Sequence, residues 1–234
     1  MLRSWIPQEK LSIYSLCQNP HPSAMDIIQR VPEKIILCNL SLNPNAIELL
    51  SNEIKKNPNK IDWYYLSRNP NAIHLLEANP DKINWDNLSK NPNAIELLVN
   101  NPEKIVWWCL SMNPNAIRLL EREPEKICWW ALSGNPNAIH LLEKNLERID
   151  WVELSCNPNA IHILEKNPDK INWRGLSFNP NAIHLLECEP EKINWENLCL
   201  NPNAISIIER EPKKINWGYL SMNPAIFEED YACK

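Results

Sequence analysis

The chain has 234 residues, a formal net charge of -5, and a composition with Gly 3, Pro 20, Trp 11 and Phe 2 that stands far from ordinary globular usage. So little glycine excludes folds that depend on left-handed turns or phosphate-cradling loops, which sets aside dinucleotide-binding sheets, P-loop domains and glycine-rich sandwiches. Lys+Arg 24 against Asp+Glu 29 argues against a general nucleic-acid binder, whose signature is a basic stripe.

In chain order, the first segment, Met1-Leu2-Arg3-Ser4-Trp5-Ile6-Pro7, lacks the apolar core of a secretory signal. No later run approaches the roughly 20 apolar residues of a membrane span. The cysteines (Cys17, Cys38, Cys109, Cys128, Cys156, Cys188, Cys199 and Cys233) form no C-x-x-C pair, so reduced thiols and a cytoplasmic setting are expected. Two units then precede the regular pattern, with Ile13 and Leu37 where later units carry tryptophan. Pro22 and the missing tryptophans mark residues 1–42 as an atypical N-terminal cap.

From Asn43 the string Asn-Pro-Asn-Ala-Ile recurs at Asn69, Asn91, Asn113, Asn135, Asn157, Asn179 and Asn201, the last seven at steps of 22 residues. A degenerate copy begins at Asn223. Between copies runs a tryptophan column: Trp63, Trp85, Trp107, Trp129, Trp151, Trp173, Trp195 and Trp217. Fixed periods of this length mean a repeat architecture.

In the unit 91–112, Asn91 is an N-cap and Pro92 a preferred first helical residue, which predicts a helix over Pro92 to Asn100. Ala94, Ile95 and Leu98 share its apolar face, widened by Leu97. Asn101-Pro102 stops it and opens a single turn. A second short helix follows near Trp107 to Ser111, and in other units Asn84, Asp62, Asp150, Asn172, Asn194 or Asn216 stands ready to cap it. Strands are excluded by the lack of period-2 alternation and a proline about every ten residues. A unit this small buries its apolar face only against neighbours, so the fold class is all-α: an α-solenoid of about ten units, one domain spanning 1–234. Ten layers at about 8–10 Å each predict an extended solenoid roughly 80–100 Å along its curved axis.

The step from Asn43 to Asn69 is 26 residues, four more than the rest, so the helix containing Ser51 to Lys56 is expected to be one turn longer. Regular repeats run over 43–222. The end, 223–234 with Phe227-Glu228-Glu229-Asp230-Tyr231, reads as a polar C-terminal cap.

The Asn-Pro between a Leu-Ser turn and a Leu-Leu helix resembles the leucine-rich-variant repeat, which implies one α-helix and one 3-10 helix per unit. The fuller string Asn157-Pro158-Asn159-Ala160-Ile161 through Asn172-Trp173 resembles tandem repeats encoded by giant double-stranded DNA viruses, which implies a viral protein of the host cytoplasm or virion. Neither resemblance brings catalytic residues.

Candidate sites were weighed against structural roles. His74, His140, His162 and His184 fill one column that also holds Glu48, Glu96, Arg118 and Ser206, so a solvated surface is expected rather than a metal ladder. Pro-Glu/Asp-Lys rows read as solvated, with weak ion pairs between units. The asparagine columns read as caps, and the tryptophan column as core. Variation concentrates after each motif tryptophan and before each Asn-Pro. There Trp108, Trp130, Tyr64, Tyr65, Met112, Phe178, Leu200 and Met222 form a candidate interface, with gap-filling between layers as the alternative. The expected function is a non-enzymatic scaffold, with no cofactor, no metal and no membrane. It would bind another protein or itself; the alternative is a repeat protein reading single-stranded nucleic acid.

Overall fold

The computed structural model describes residues 1–228, and Glu229, Asp230 and Tyr231 of the expected acidic cap lie outside them. Each unit is built as the repeat dictates. The residue before the tryptophan caps a short helix: the Asn84 side chain accepts from the Asn87 amide at 3.0 Å, and Asp150 accepts from Glu153. Ten such helices run from Ile13–Leu16 and Leu37–Leu40 through Trp107–Ser111 to Trp217–Met222. Among the described residues nine second helices, most of them led by the motif isoleucine, run from Pro22–Ile28 to Ile205–Arg210. A 3-10 turn such as Pro102–Lys104 joins each unit to the next.

The second helix is shorter than its sequence predicts, Ile95–Val99 instead of Pro92 to Asn100. Asn91 caps a tight turn ahead of it, its Oδ1 accepting from the Asn93 amide at 3.0 Å. The insertion behaves as expected: Ile47–Lys56 has 10 residues, against 5 in Ile95–Val99.

Units are held together by buried polar rows as well as by leucines. The motif leucines Leu66, Leu88, Leu110, Leu132, Leu154 and Leu176 are fully buried. The first asparagine of each motif is also 0% exposed, and it does more than cap. Asn91 Nδ2 donates to the carbonyls of Ser67 at 3.0 Å and Asn69 at 2.8 Å, both in the preceding unit. Both of its amide hydrogens and its carbonyl oxygen are thus engaged where water cannot reach. Ser67 Oγ donates to the Trp63 carbonyl and accepts from the Asn84 amide of the next unit. The tryptophans are half-buried and pack against this core. Lys126 Nζ lies 4.6 Å from the Trp107 ring and Lys170 the same distance from Trp151, each lysine belonging to the following unit.

All three rows continue across the chain ends. Asn19 donates to the carbonyls of Ser221 at 2.9 Å and Asn223 at 3.0 Å. The Ser12 amide donates to Ser221 Oγ, and Lys10 lies over Trp217. The first unit therefore follows the last as any unit follows its neighbour, and the solenoid is a closed ring. An elongated body does not form, because ten units complete a full turn. Nor do residues 223–228 present a polar outer surface: Phe227 is 3% exposed, stacks on His21 at 4.8 Å, and pairs with Leu2 in an antiparallel bridge.

Curvature assigns the layers. Neighbouring tryptophan-led helices, such as Trp151–Cys156 and Trp173–Phe178, approach each other closely, whereas the second helices do not. The tryptophan-led helices thus form the inner layer. The second helices splay outward, leaving clefts such as one of about 310 Å³ beside Leu186, Ile207 and Arg210. Among the described residues there are ten inner and nine outer helices, and the last inner helix is followed by the 3-10 turn Pro224–Ile226. A groove of about 620 Å³ lies there, edged by Arg3, His21, Ile205 and Phe227. No helix among the described residues is long and apolar enough to cross a membrane.

Candidate functional site: the inner wall of the ring

On an inner helix the core leucine is the third residue after the tryptophan. At 100° per residue, the first and fifth residues after the tryptophan point away from it, into the lumen. Both are among the variable positions of the sequence, as is the second position after the tryptophan, which does not share their direction. Of the eleven exposed large hydrophobic side chains among the described residues, seven lie on inner helices: Tyr14, Tyr64, Trp108, Trp130, Val152, Phe178 and Tyr219.

The structure brings the candidate interface residues onto this one wall. Trp108 and Trp130 are 42% and 45% exposed, and their rings stand 6.4 Å apart in adjacent units. Lys90 Nζ sits 4.4 Å from the Trp108 ring, which fixes one tryptophan face and leaves the other to solvent. Phe178 is exposed, and Met112, Leu200 and Met222 are half-buried at the equivalent fifth position. Tyr64 faces the lumen while Tyr65, one residue on, is half-buried and meets it edge-on at 5.2 Å. Tyr14 and Val152 belong to the same wall, whereas Tyr219 holds the second position, as Tyr65 does. Tyr14 is hidden in the sequence because its unit lacks the tryptophan that marks the register.

Charges interrupt the wall at Arg68, Asp86, Lys90, Arg174 and Glu196, of both signs. Burial, reinforced by the nearby Asp150 charge, holds the Glu153 carboxyl above its usual range. Burial also pushes the Cys109 and Cys156 thiols up to about 11, so neither has the thiolate character of a reactive cysteine.

The other candidates lie elsewhere. His140, His162 and His184 stand on the outer face, each with Nε2 2.9–3.0 Å from a glutamate of the preceding unit. No group of three or more metal-ligating side chains converges among the described residues. Lys126 and Lys192 pair within their own turns, with Glu123 at 3.1 Å and Glu189 at 3.3 Å, and each reaches the preceding unit through its tryptophan.

Comparison with protein families, curated proteins and solved structures returns no match for this chain.

Proposed function

We propose that this chain is a non-enzymatic ring scaffold that holds a protein partner against its inner wall. The carrying observation is the gathering of six exposed large hydrophobic side chains at the lumen-facing positions of the inner helices, where repeat units differ. Exposed apolar surface concentrated in one concavity is what an interface requires, and aromatic residues are the usual anchors. A strand-reading role is less well supported. One base per unit calls for a stacking ring in each unit and a basic track, whereas the lumen column holds Asp86, Val152, Arg174 and Glu196 in four of its places. Resemblance to the leucine-rich-variant repeat and to giant-virus tandem repeats supports a viral scaffold working in the host cytoplasm or virion.

The test is affinity capture from the producing cell with three forms of the ring. A specific partner should bind the wild type and the outer-face variant His140→Ala/His162→Ala, and be lost from Trp108→Glu/Trp130→Glu. A partner lost from the outer-face variant and kept by the inner-wall variant would overturn the proposal.

A further inference from the structure

We infer that the lumen takes one amphipathic α-helix of a partner at a time, seated along the arc from Trp108 to Phe178. This rests on the inner wall being the binding surface. Size comes first. Ten inner helices about 8–10 Å apart place their axes on a circle of roughly 13–16 Å radius, and helix bodies of about 5–6 Å radius leave a bore of roughly 15–20 Å. That opening admits one helix, about 10–12 Å across with side chains, but not two side by side.

The pattern of the wall narrows the choice further. Trp108, Met112, Trp130, Val152 and Phe178 come from four consecutive units. Four units of ten cover roughly 140° of the circle, which matches the apolar stripe of more than about 100° on an amphipathic helix. An extended strand sends alternate side chains to opposite faces and would set only half of them against such an arc. Both edges of the arc carry mixed charge, Asp86 and Lys90 on one side and Arg174 and Glu196 on the other. These suit the lysine and glutamate flanks of an amphipathic helix. A uniformly charged ligand would meet a like charge at either edge.

The probe is a synthetic 18-residue peptide of leucine, lysine, glutamate and alanine with all leucines on one helical face. Its control has the same composition with leucines spread around the helix. Calorimetric titration into the intact ring should give one peptide per ring. The faced peptide should bind at least tenfold tighter than its control, and Trp130→Glu or, separately, Val152→Glu should weaken it at least tenfold. Circular dichroism of each variant checks that the ring still folds. Equal binding of the two peptides, two or more peptides per ring, or unchanged binding in both folded variants would overturn the inference. If cellular capture depends on Trp108 and Trp130 while the faced peptide gains nothing over its control, the helical occupant is wrong and the inner-wall reading stands. If neither depends on the wall, both fall.

Discussion

At the scale of single residues, the fold depends on polar side chains placed where water cannot enter. Asn135 donates to the carbonyls of Ser111 and Asn113 at 2.9 Å each and accepts from the Asn137 amide. Replacing it with alanine removes all three bonds and leaves buried groups short of partners, at about 1–3 kcal/mol for such a group. Asn135→Ala should therefore lose roughly 2–4 kcal/mol in urea unfolding. Asn137→Ala, which removes one exposed bond to the Pro114 carbonyl, should lose well under half of that. Equal losses would mean that the buried row carries no special weight. Glu153 gives a pH-dependent prediction. Burial raises its folded pKa, so the folded state holds the proton more tightly than the unfolded chain. The stability this confers is present at acid pH and is lost as pH rises through the folded value. Glu153→Gln should match the wild type near the acid end and melt at a higher temperature near pH 7; a gap that narrows as pH rises would contradict this.

At the scale of elements, two inner helices meet at a glycine. A Cβ on Gly175 would lie 3.0 Å from both Cys156 Sγ and the Val152 carbonyl. The helix Trp173–Phe178 can close on Trp151–Cys156 only because a hydrogen stands at that point. Gly175→Ala should cost about 1–3 kcal/mol by overpacking, despite alanine's better helix propensity. A stabilised variant would mean the two helices have room to spare. Much of this layer was legible in advance. The Asn84 and Asp150 caps, the stop at Asn101-Pro102 and the extended helix ending at Lys56 all follow from local capping rules and counting. The start of the second helix was not, since an asparagine followed by proline suits both a helix cap and a tight turn, and contacts with the preceding unit decide between them. The partial exposure of the tryptophans is hidden for a similar reason. An unvarying aromatic column looks like core from sequence, but here one ring face is covered by a lysine of the next unit.

At the scale of the whole molecule, closure converts a list of repeats into a container. The signal for it was present but easily misread. Ile6, Leu11, Leu16 and Cys17 in the first unit are buried, and an end cap facing water would not carry them. Asn19 also keeps the asparagine column in a unit that has lost its tryptophan. Closure settles where the variable residues go, because positions that an open solenoid would spread along a shallow concave surface are instead collected around one lumen. The candidate interface was thus legible as a set of columns, while its enclosure depended on the angle between units, which no single unit encodes.

Small-angle X-ray scattering of the wild-type chain tests closure most directly. A compact protein of this length has a radius of gyration near 17 Å, and a closed ring with an open lumen should lie slightly above that, at about 18–21 Å. A value of about 25 Å or more, as for an elongated body roughly 80–100 Å long, would mean that the first and last units do not meet in solution.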